Sequence, residues 1–263
     1  MLEITKTLKD IQTVVIIGNG SVATHLIEHF TALNISVVQQ FGRTQKTVST
    51  SKIPFTNYYN HIRTDADLYI VSVSDDAISE VVNQIPEING IIVHTAGSID
   101  MEILTSKYSN YGVLYPLQSF SKNRTIDLQN SPFFIEANNS DTEIALLHFA
   151  KRISNNVKVM SYEERLTLHI AAVFTCNFTN HMATIAKELL DSKNIDFTYL
   201  SPLIKETFDK ILTSNPKESQ TGPAKRNDIK ILEKHSKMLT SNPIFQEIYT
   251  IISSSITTMY NKE

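Results

Sequence analysis

The chain predicts an α/β fold, a doubly wound parallel sheet, followed by an all-α helical domain. Three observations carry this expectation. The first is Thr13-Val14-Val15-Ile16-Ile17-Gly18-Asn19-Gly20-Ser21-Val22-Ala23, a β-branched run that stops at Gly-x-Gly-x-x-Ala before helical spacing from Thr24 to Leu33. The second is the alternation of short apolar runs with helical segments to about residue 160, the pattern of repeated strand–helix units. The third is the disappearance of strand signals beyond Tyr162. The expected domains are residues 1–160 and 161–263.

The opening element is Rossmann-like. Gly18 is expected to make the tight turn, Gly20 to let a pyrophosphate approach the backbone, and Ala23 to keep the helix close to the sheet. Asn19, Ser21 and Val22 complete the loop. The new helix offers unpaired N–H groups and a positive dipole end to an anion.

A second strand is expected over 35–40, after the break at Asn34. Leu68 to Val73 is almost continuously apolar, as a central strand covered on both faces requires. Ile78 to Ile85 reads as a helix ended by Pro86, and Gly90 introduces the strand Ile91-Ile92-Val93. Further strands are expected over 112–115, 133–135 and 157–160. Ser140-x-x-Glu143 reads as a capping box opening a helix to about Ser154. A long amphipathic segment then runs from Tyr162 to about Ser192, with helices over 202–213, 228–239 and 243–255.

Composition narrows the function classes. Lys plus Arg number 24 and Asp plus Glu 27, for a net charge of −3, and no basic stripe points to nucleic acid. The single cysteine, Cys176, excludes an internal disulfide framework and suits a reducing compartment. The apolar run Val14 to Ile17 is too short for a signal peptide or a membrane span. Asn-x-Ser/Thr triplets begin at Asn123, Asn138 and Asn177, and read as chance in an asparagine-rich chain. The expectation is a cytoplasmic protein without membrane or nucleic-acid partners. No metal-ligand spacing is present.

The candidate cofactor is NADP(H). After the second strand, Val38-Gln39-Gln40-Phe41-Gly42-Arg43-Thr44 lacks the carboxylate that would bond a ribose 2′-hydroxyl, and Arg43 with Thr44 can hold a 2′-phosphate instead. Ser74 and Asp75 follow the strand after Leu68, where they either touch cofactor or cap the next helix. His94, Thr95 and Ala96 end the next strand, where a nicotinamide ring would arrive. Gln118 and Ser119 follow Tyr115-Pro116 at the same sheet edge.

On the long helical segment, His169 and Asn180 are eleven residues apart, which at about 100° per residue puts them on one face, with Asn177 roughly 80° away. His169 is either a general acid/base or a histidine in a helix–helix seam. Thr221-Gly222-Pro223 forces a turn, Asp228 can cap the helix after it, and Arg226 is placed either to grip an anion or to face solvent.

Taken in order, His94-Thr95-Ala96-Gly97, Tyr115-Pro116-Leu117-Gln118-Ser119-Phe120-Ser121, His169-x-Ala171-Ala172-x-Phe174-x-x-Asn177-Phe178 and Thr221-Gly222-Pro223-x-x-Arg226-x-Asp228 resemble an uncharacterised bacterial family. Its members join an NADP-binding Rossmann-like domain to a helical domain of unknown function. They are related to pyrroline-5-carboxylate reductase and the 3-hydroxyacid dehydrogenases. The helical domain is similar to the dimerising domain of 6-phosphogluconate dehydrogenase. The resemblance implies an oxidoreductase of a small carbonyl, imine or hydroxyacid. In it His169 would handle a proton, Asn177 and Asn180 would position polar groups, Arg226 would hold an anion, and Gln118, Ser119, Thr221 and Gly222 would meet substrate. It also implies a homodimer through the helical domain. One departure stands out: Val173 occupies the position of the catalytic lysine of the 3-hydroxyacid dehydrogenases, with Asn177 at their asparagine. A catalytically silent NADP(H)-binding sensor or scaffold is the alternative.

Overall fold

The computed structural model describes residues 10–44, 53–105, 107–121 and 124–261. The chain divides into two compact units, Met1–Cys176 and Asn177–Glu263, a later division than the loss of strand signals suggests.

The first unit is built on one eight-stranded sheet. In chain order its elements are β1 (Thr13–Ile17), α1 (Ser21–Ala32), β2 (Ser36–Phe41), β3 (Phe55–Thr56), β4 (Leu68–Val71), α2 (Ile78–Gln84), β5 (Ile91–His94) and β6 (Tyr111–Pro116). β7 (Phe133–Ala137), α3 (Ser140–Ile153), β8 (Val157–Val159) and α4 (Tyr162–Ala172) complete it. The strand order is β3-β2-β1-β4-β5-β6-β7-β8. β1 pairs in parallel with both β2 and β4, so the order reverses at β1, beside the glycine loop. That reversal is the switch point at which open α/β sheets bind ligands.

Alternation along each strand sorts the core into two layers. Val14, Ile16, Leu68, Ile70, Ile91 and Val93 pack with α1 and α3 on one face. Val15, Ile17, Tyr69, Val71 and Ile92 pack with Ile78, Val81 and Val82 of α2 on the other. Phe30 of α1 meets Phe149 of α3 edge-on at 5.6 Å, both wholly buried, and each such burial stabilises by about 1.5–3 kcal/mol.

Three details depart from the sequence expectations. β7 runs antiparallel to β6, so the sheet is not wholly parallel. The described residues between the two strands form no crossover helix, and an antiparallel neighbour needs none. The helix over 140–153 is capped by Asn139, whose side chain accepts from Thr142 N–H, and Ser140 is its first residue. The capping box instead opens α4, where Ser161 accepts from Glu164 N–H and the Glu164 carboxylate accepts from Ser161 N–H. Third, the long helical segment is not continuously α. It holds a π-helical turn, Val173–Phe178, between α4 and α5 (Thr179–Asp191). A π turn advances each residue by less than 100°, so the projection that placed His169 and Asn180 on one face does not apply.

The second unit continues with α6 (Ser201–Thr213), the short α7 (Pro216–Ser219), α8 (Ile229–Met238) and α9 (Pro243–Tyr260). Asp228 caps α8 by accepting from Ile231 N–H, as its sequence position suggests. Among the described residues of this unit only Ala224 is buried. No helix among the described residues is long and apolar enough to cross a membrane.

Candidate active site

The carboxyl ends of β1, β2, β4, β5 and β6 open onto a cleft of about 560 Å³, lined wholly from the first unit. Its floor is the glycine loop. Gly18 has φ +139°, and a Cβ there would stand 2.1 Å from the Ser72 carbonyl oxygen, so only glycine fits between β1 and β4. Gly20 differs: a Cβ there meets nothing within 4 Å, because the space before it is the cleft itself. Asn19, Ser21 and Val22 line the same wall at the start of α1. Ala23 lies behind it, wholly buried in the α1–sheet contact. The loop is tied down on both sides. Asn19 donates to the Thr44 carbonyl at 2.6 Å, and Gln40 donates to the Gly18 carbonyl at 3.0 Å.

Past β2 no carboxylate appears. Gln39 donates to the His61 carbonyl and accepts from Arg63 N–H, so both glutamines of this strand serve the backbone. Arg43 lines the cleft and also an adjoining open groove of about 580 Å³, which it shares with Thr44, Thr56, Tyr58 and His61. Tyr59 enters the cleft with its ring centroid 4.5 Å from that of Phe41. Burial raises its phenol above the usual value.

After β4, Ser74 and Asp75 both line the cleft. Neither side chain caps the turn that follows; Asp75 accepts from Ser98 Oγ at 2.6 Å, joining the β4 loop to the β5 loop. Thr95 and Ala96 line the cleft after β5. His94 does not. It is wholly buried, and its Nδ1 accepts from Ala96 N–H at 3.2 Å.

Burial first, and then the Arg165 charge, push the His94 imidazole down to about 4. The folded protein therefore refuses a proton that the unfolded chain accepts below about pH 6.5. Stability contributed this way is full above that value and is lost as pH falls toward 4, by up to about 3 kcal/mol. Urea unfolding across this range is expected to show that slope in the wild type and a flatter one in His94→Asn. Equal slopes would refute the assignment.

Arg165, one turn before His169 on α4, is the unexpected centre of this region. Its guanidinium is wholly buried. Nη1 donates to the carbonyls of Ala96, Gly97 and Ile99 at 2.9–3.0 Å, and Nη2 meets Glu136 at 2.9 Å. Nε finds no partner among the described residues. The fixed fork of guanidinium donors fits a turn whose carbonyls converge. In sequence this arginine reads as an ordinary charge in the first turns of an amphipathic helix, and nothing local distinguishes it.

The far wall of the cleft brings His169 together with Tyr115. Tyr115 Oη lies 3.0 Å from His169 Nδ1, and Gly97 lies against both rings. Burial raises the Tyr115 phenol; Arg165 opposes that shift and Asp75 adds to it. Gln118, Pro116 and Phe120 complete the wall, with Gln118 Nε2 held on Ser131 Oγ at 3.2 Å. Ser119 does not line it; its N–H is turned onto Gln118 Oε1.

The remaining candidates belong to the second unit. Asn177 and Asn180 are exposed on the π turn and α5. Gly222 has φ +104°, and Arg226 is exposed two residues before the α8 cap. Thr221 borders an apolar pocket between α5, α8 and α9. Ser72 after β4 and Phe120 after β6 line the cleft, and so do Tyr59 and Glu80, which no motif in the sequence marks. Tyr115 carried a signal, because it opens the Tyr-Pro-Leu-Gln-Ser-Phe-Ser motif.

Comparison with known proteins agrees with this architecture. Residues 131–256 match the family described as a domain of unknown function, DUF2520, a span that starts before β7 and reaches into α9. The crystal structure of a protein from Bacteroides fragilis, described as a "putative NADP oxidoreductase", is 38% identical with a TM-score of 0.86. That match covers 94% of this chain and 98% of the other. A pyrroline carboxylate reductase from Plasmodium falciparum with NADP bound is 14% identical, TM-score 0.56, over 95% of this chain and 99% of that one. An imine reductase variant from Myxococcus stipitatus in complex with NAD+ is 11% identical, TM-score 0.59, over 95% and 96%. Both of the latter share the fold. Among curated proteins nothing matches the chain. By its 38% identity to the Bacteroides protein over nearly its whole length, and by its match over 131–256, the chain belongs to the family that joins a Rossmann-like sheet to the DUF2520 region.

Proposed function

We propose that the protein is an NADP(H)-dependent oxidoreductase of a small carbonyl, imine or hydroxyacid substrate. The observation that carries this reading is the cleft at the switch point, with a glycine loop at one end and the Tyr115–His169 pair at the other. The likeness to the Bacteroides oxidoreductase, the Plasmodium pyrroline carboxylate reductase and the Myxococcus imine reductase supports it.

The residues present fit a dinucleotide. The open space before Gly20, at the start of α1, takes a pyrophosphate against backbone N–H groups and the positive end of the helix. Arg43, beside a groove with no carboxylate among its described lining residues, takes a 2′-phosphate. When bound, the nicotinamide supplies the hydride. Thr95 and Ala96 lie where the ring would meet the wall, and Tyr115 and His169 hold the proton that the reaction consumes or releases. Asp75, fixed by Ser98, keeps the β4 and β5 loops together beneath them.

The second unit is proposed to be completed by a second copy of the chain, which makes the protein a homodimer through its helices.

Thermal-shift titration with NADPH and NADH tests the cofactor reading. NADPH at about one hundred times its Kd is expected to add roughly 2.7 kcal/mol to the folded state, and NADH markedly less at equal concentration. Arg43→Ala is expected to erase the difference, and Gly20→Ala, whose added Cβ meets no protein atom within 4 Å and enters the cradle, to weaken both shifts. A wild type unmoved by either nucleotide would sink the reading. A shift with no turnover of any imine or carbonyl would point to the silent module.

A further inference from the structure

We infer that Tyr115, rather than His169, hands the proton to the substrate, and that His169 stands behind it as the proton's source. This deepens the oxidoreductase reading and rests on it.

The two groups are built to meet. Tyr115 sits near the end of β6, where the ladder pairs it with Phe134 of β7, and His169 comes from α4. Their rings meet edge-on, 6.0 Å between centroids at 66°, with Oη 3.0 Å from Nδ1. A Cβ on Gly97 would lie 2.5 Å from His169 Nδ1 and 2.8 Å from Tyr115 Cζ, so the missing side chain is what admits the pair. Both side chains line the cleft.

One hydrogen bond joins two groups that can each donate or accept, so its polarity decides the roles. If Nδ1–H donates, Oη accepts, and the phenol's own hydrogen is free for a ligand in the cleft. The same burial that raises the phenol keeps it protonated until a stronger base arrives. That base forms during reduction of a C=N or C=O bond. A bound reduced nicotinamide would supply the hydride to carbon, and the π pair would move to nitrogen or oxygen. The nitrogen or oxygen then takes the Tyr115 proton. The phenolate takes the Nδ1 proton of His169 as Nε2 takes one from a water, whose hydroxide passes to solvent; the ring ends as the neutral Nε2–H tautomer and regains Nδ1–H by exchange with solvent before the next turnover. Asp75 and Arg165 are the charged groups acting on the phenol, and their opposed signs leave burial as the dominant influence.

Two measurements test this. Ring ¹⁵N spectra of the cofactor-free protein are expected to show His169 protonated at Nδ1, a pattern lost in Tyr115→Phe. An unprotonated Nδ1 accepting the phenol's hydrogen would overturn the inference. The second uses NADPH with two probes at alkaline pH: 2-methyl-1-pyrroline, an uncharged imine, and its N-methylated iminium salt, which needs no proton. Tyr115→Phe is expected to lose about 10²-fold on the imine and little on the iminium. Equal losses on both, or none on the imine, would make Tyr115 a structural residue and overturn the inference alone. A wild type that reduces neither probe would tell against the oxidoreductase reading instead, and the spectra would then decide the pair's polarity by themselves.

Discussion

Arg165→Met is expected to lower the stability of the first unit by about 3–5 kcal/mol, a large fraction of what holds most domains folded. Methionine restores much of the volume but none of the donors. It leaves the carbonyls of Ala96, Gly97 and Ile99 without their shared partner and Glu136 without its cation. Each buried carbonyl left unpaired costs about 1–3 kcal/mol; Glu136, partly exposed, recovers some of its loss from water. Arg165→Lys keeps the charge but offers one nitrogen where the native side chain uses two, so it is expected to fall between. Urea unfolding of the three proteins at neutral pH checks the order. A loss below about 1 kcal/mol in Arg165→Met would mean the turn after β5 is held by something else.

Sedimentation of the wild type is expected to give a dimer, twice the 29.7 kDa of one chain, with a melting temperature that rises with protein concentration. The reason is the missing core of the second unit. Its helices expose Leu203 at 63%, Leu212 at 80%, Ile244 at 67%, Ile251 at 60% and Met259 at 55%. Ordering each residue costs about 1–2 kcal/mol of backbone entropy, and the half-buried side chains between α5, α8 and α9, with one buried alanine, offset only part of that. Exposed apolar side chains in this number, on α6 and along one side of α9, are what a second copy would cover; obligate interfaces commonly bury some 2,000 Å² or more. Ile244→Asp combined with Ile251→Asp places two charges along α9. This variant is expected to be monomeric, with much of the helical signal lost at temperatures the wild type survives. A wild type that stays monomeric at micromolar concentration, with a concentration-independent melt, would refute the proposal.

The sequence made the sheet legible because its signals are local. The strand over 13–17, the glycine turn and the buried runs over 68–71 and 91–94 announce themselves within a few residues. β3, two residues long and paired only at an edge, has too little pattern to be seen. The reversal at β7 escaped for a different reason: strand direction is set by the connection, and the loop after Tyr115-Pro116 gives no helical signal to read. Of the candidates the glycine motif and the stretch after β2 suggest, Gly18 to Val22 and Arg43 all line the cleft. At the far wall, His169 stands out by type, but Tyr115, which it meets, lies 54 residues away on another element. Arg165 and His94 were hidden or misplaced because burial is a tertiary property. A lone arginine on a polar helix face reads as solvated, and a histidine at a strand end reads as a ligand contact.

The space at Gly97 also constrains how this wall of the cleft can change through mutation. Every other amino acid carries the Cβ that the two rings exclude, so no first step at this position is small. A lineage that replaces Gly97 must first shrink Tyr115 or His169, and each of those steps removes the contact the glycine accommodates. The three positions, drawn from a loop, a strand and a helix, are therefore expected to be exchanged as a set or held together.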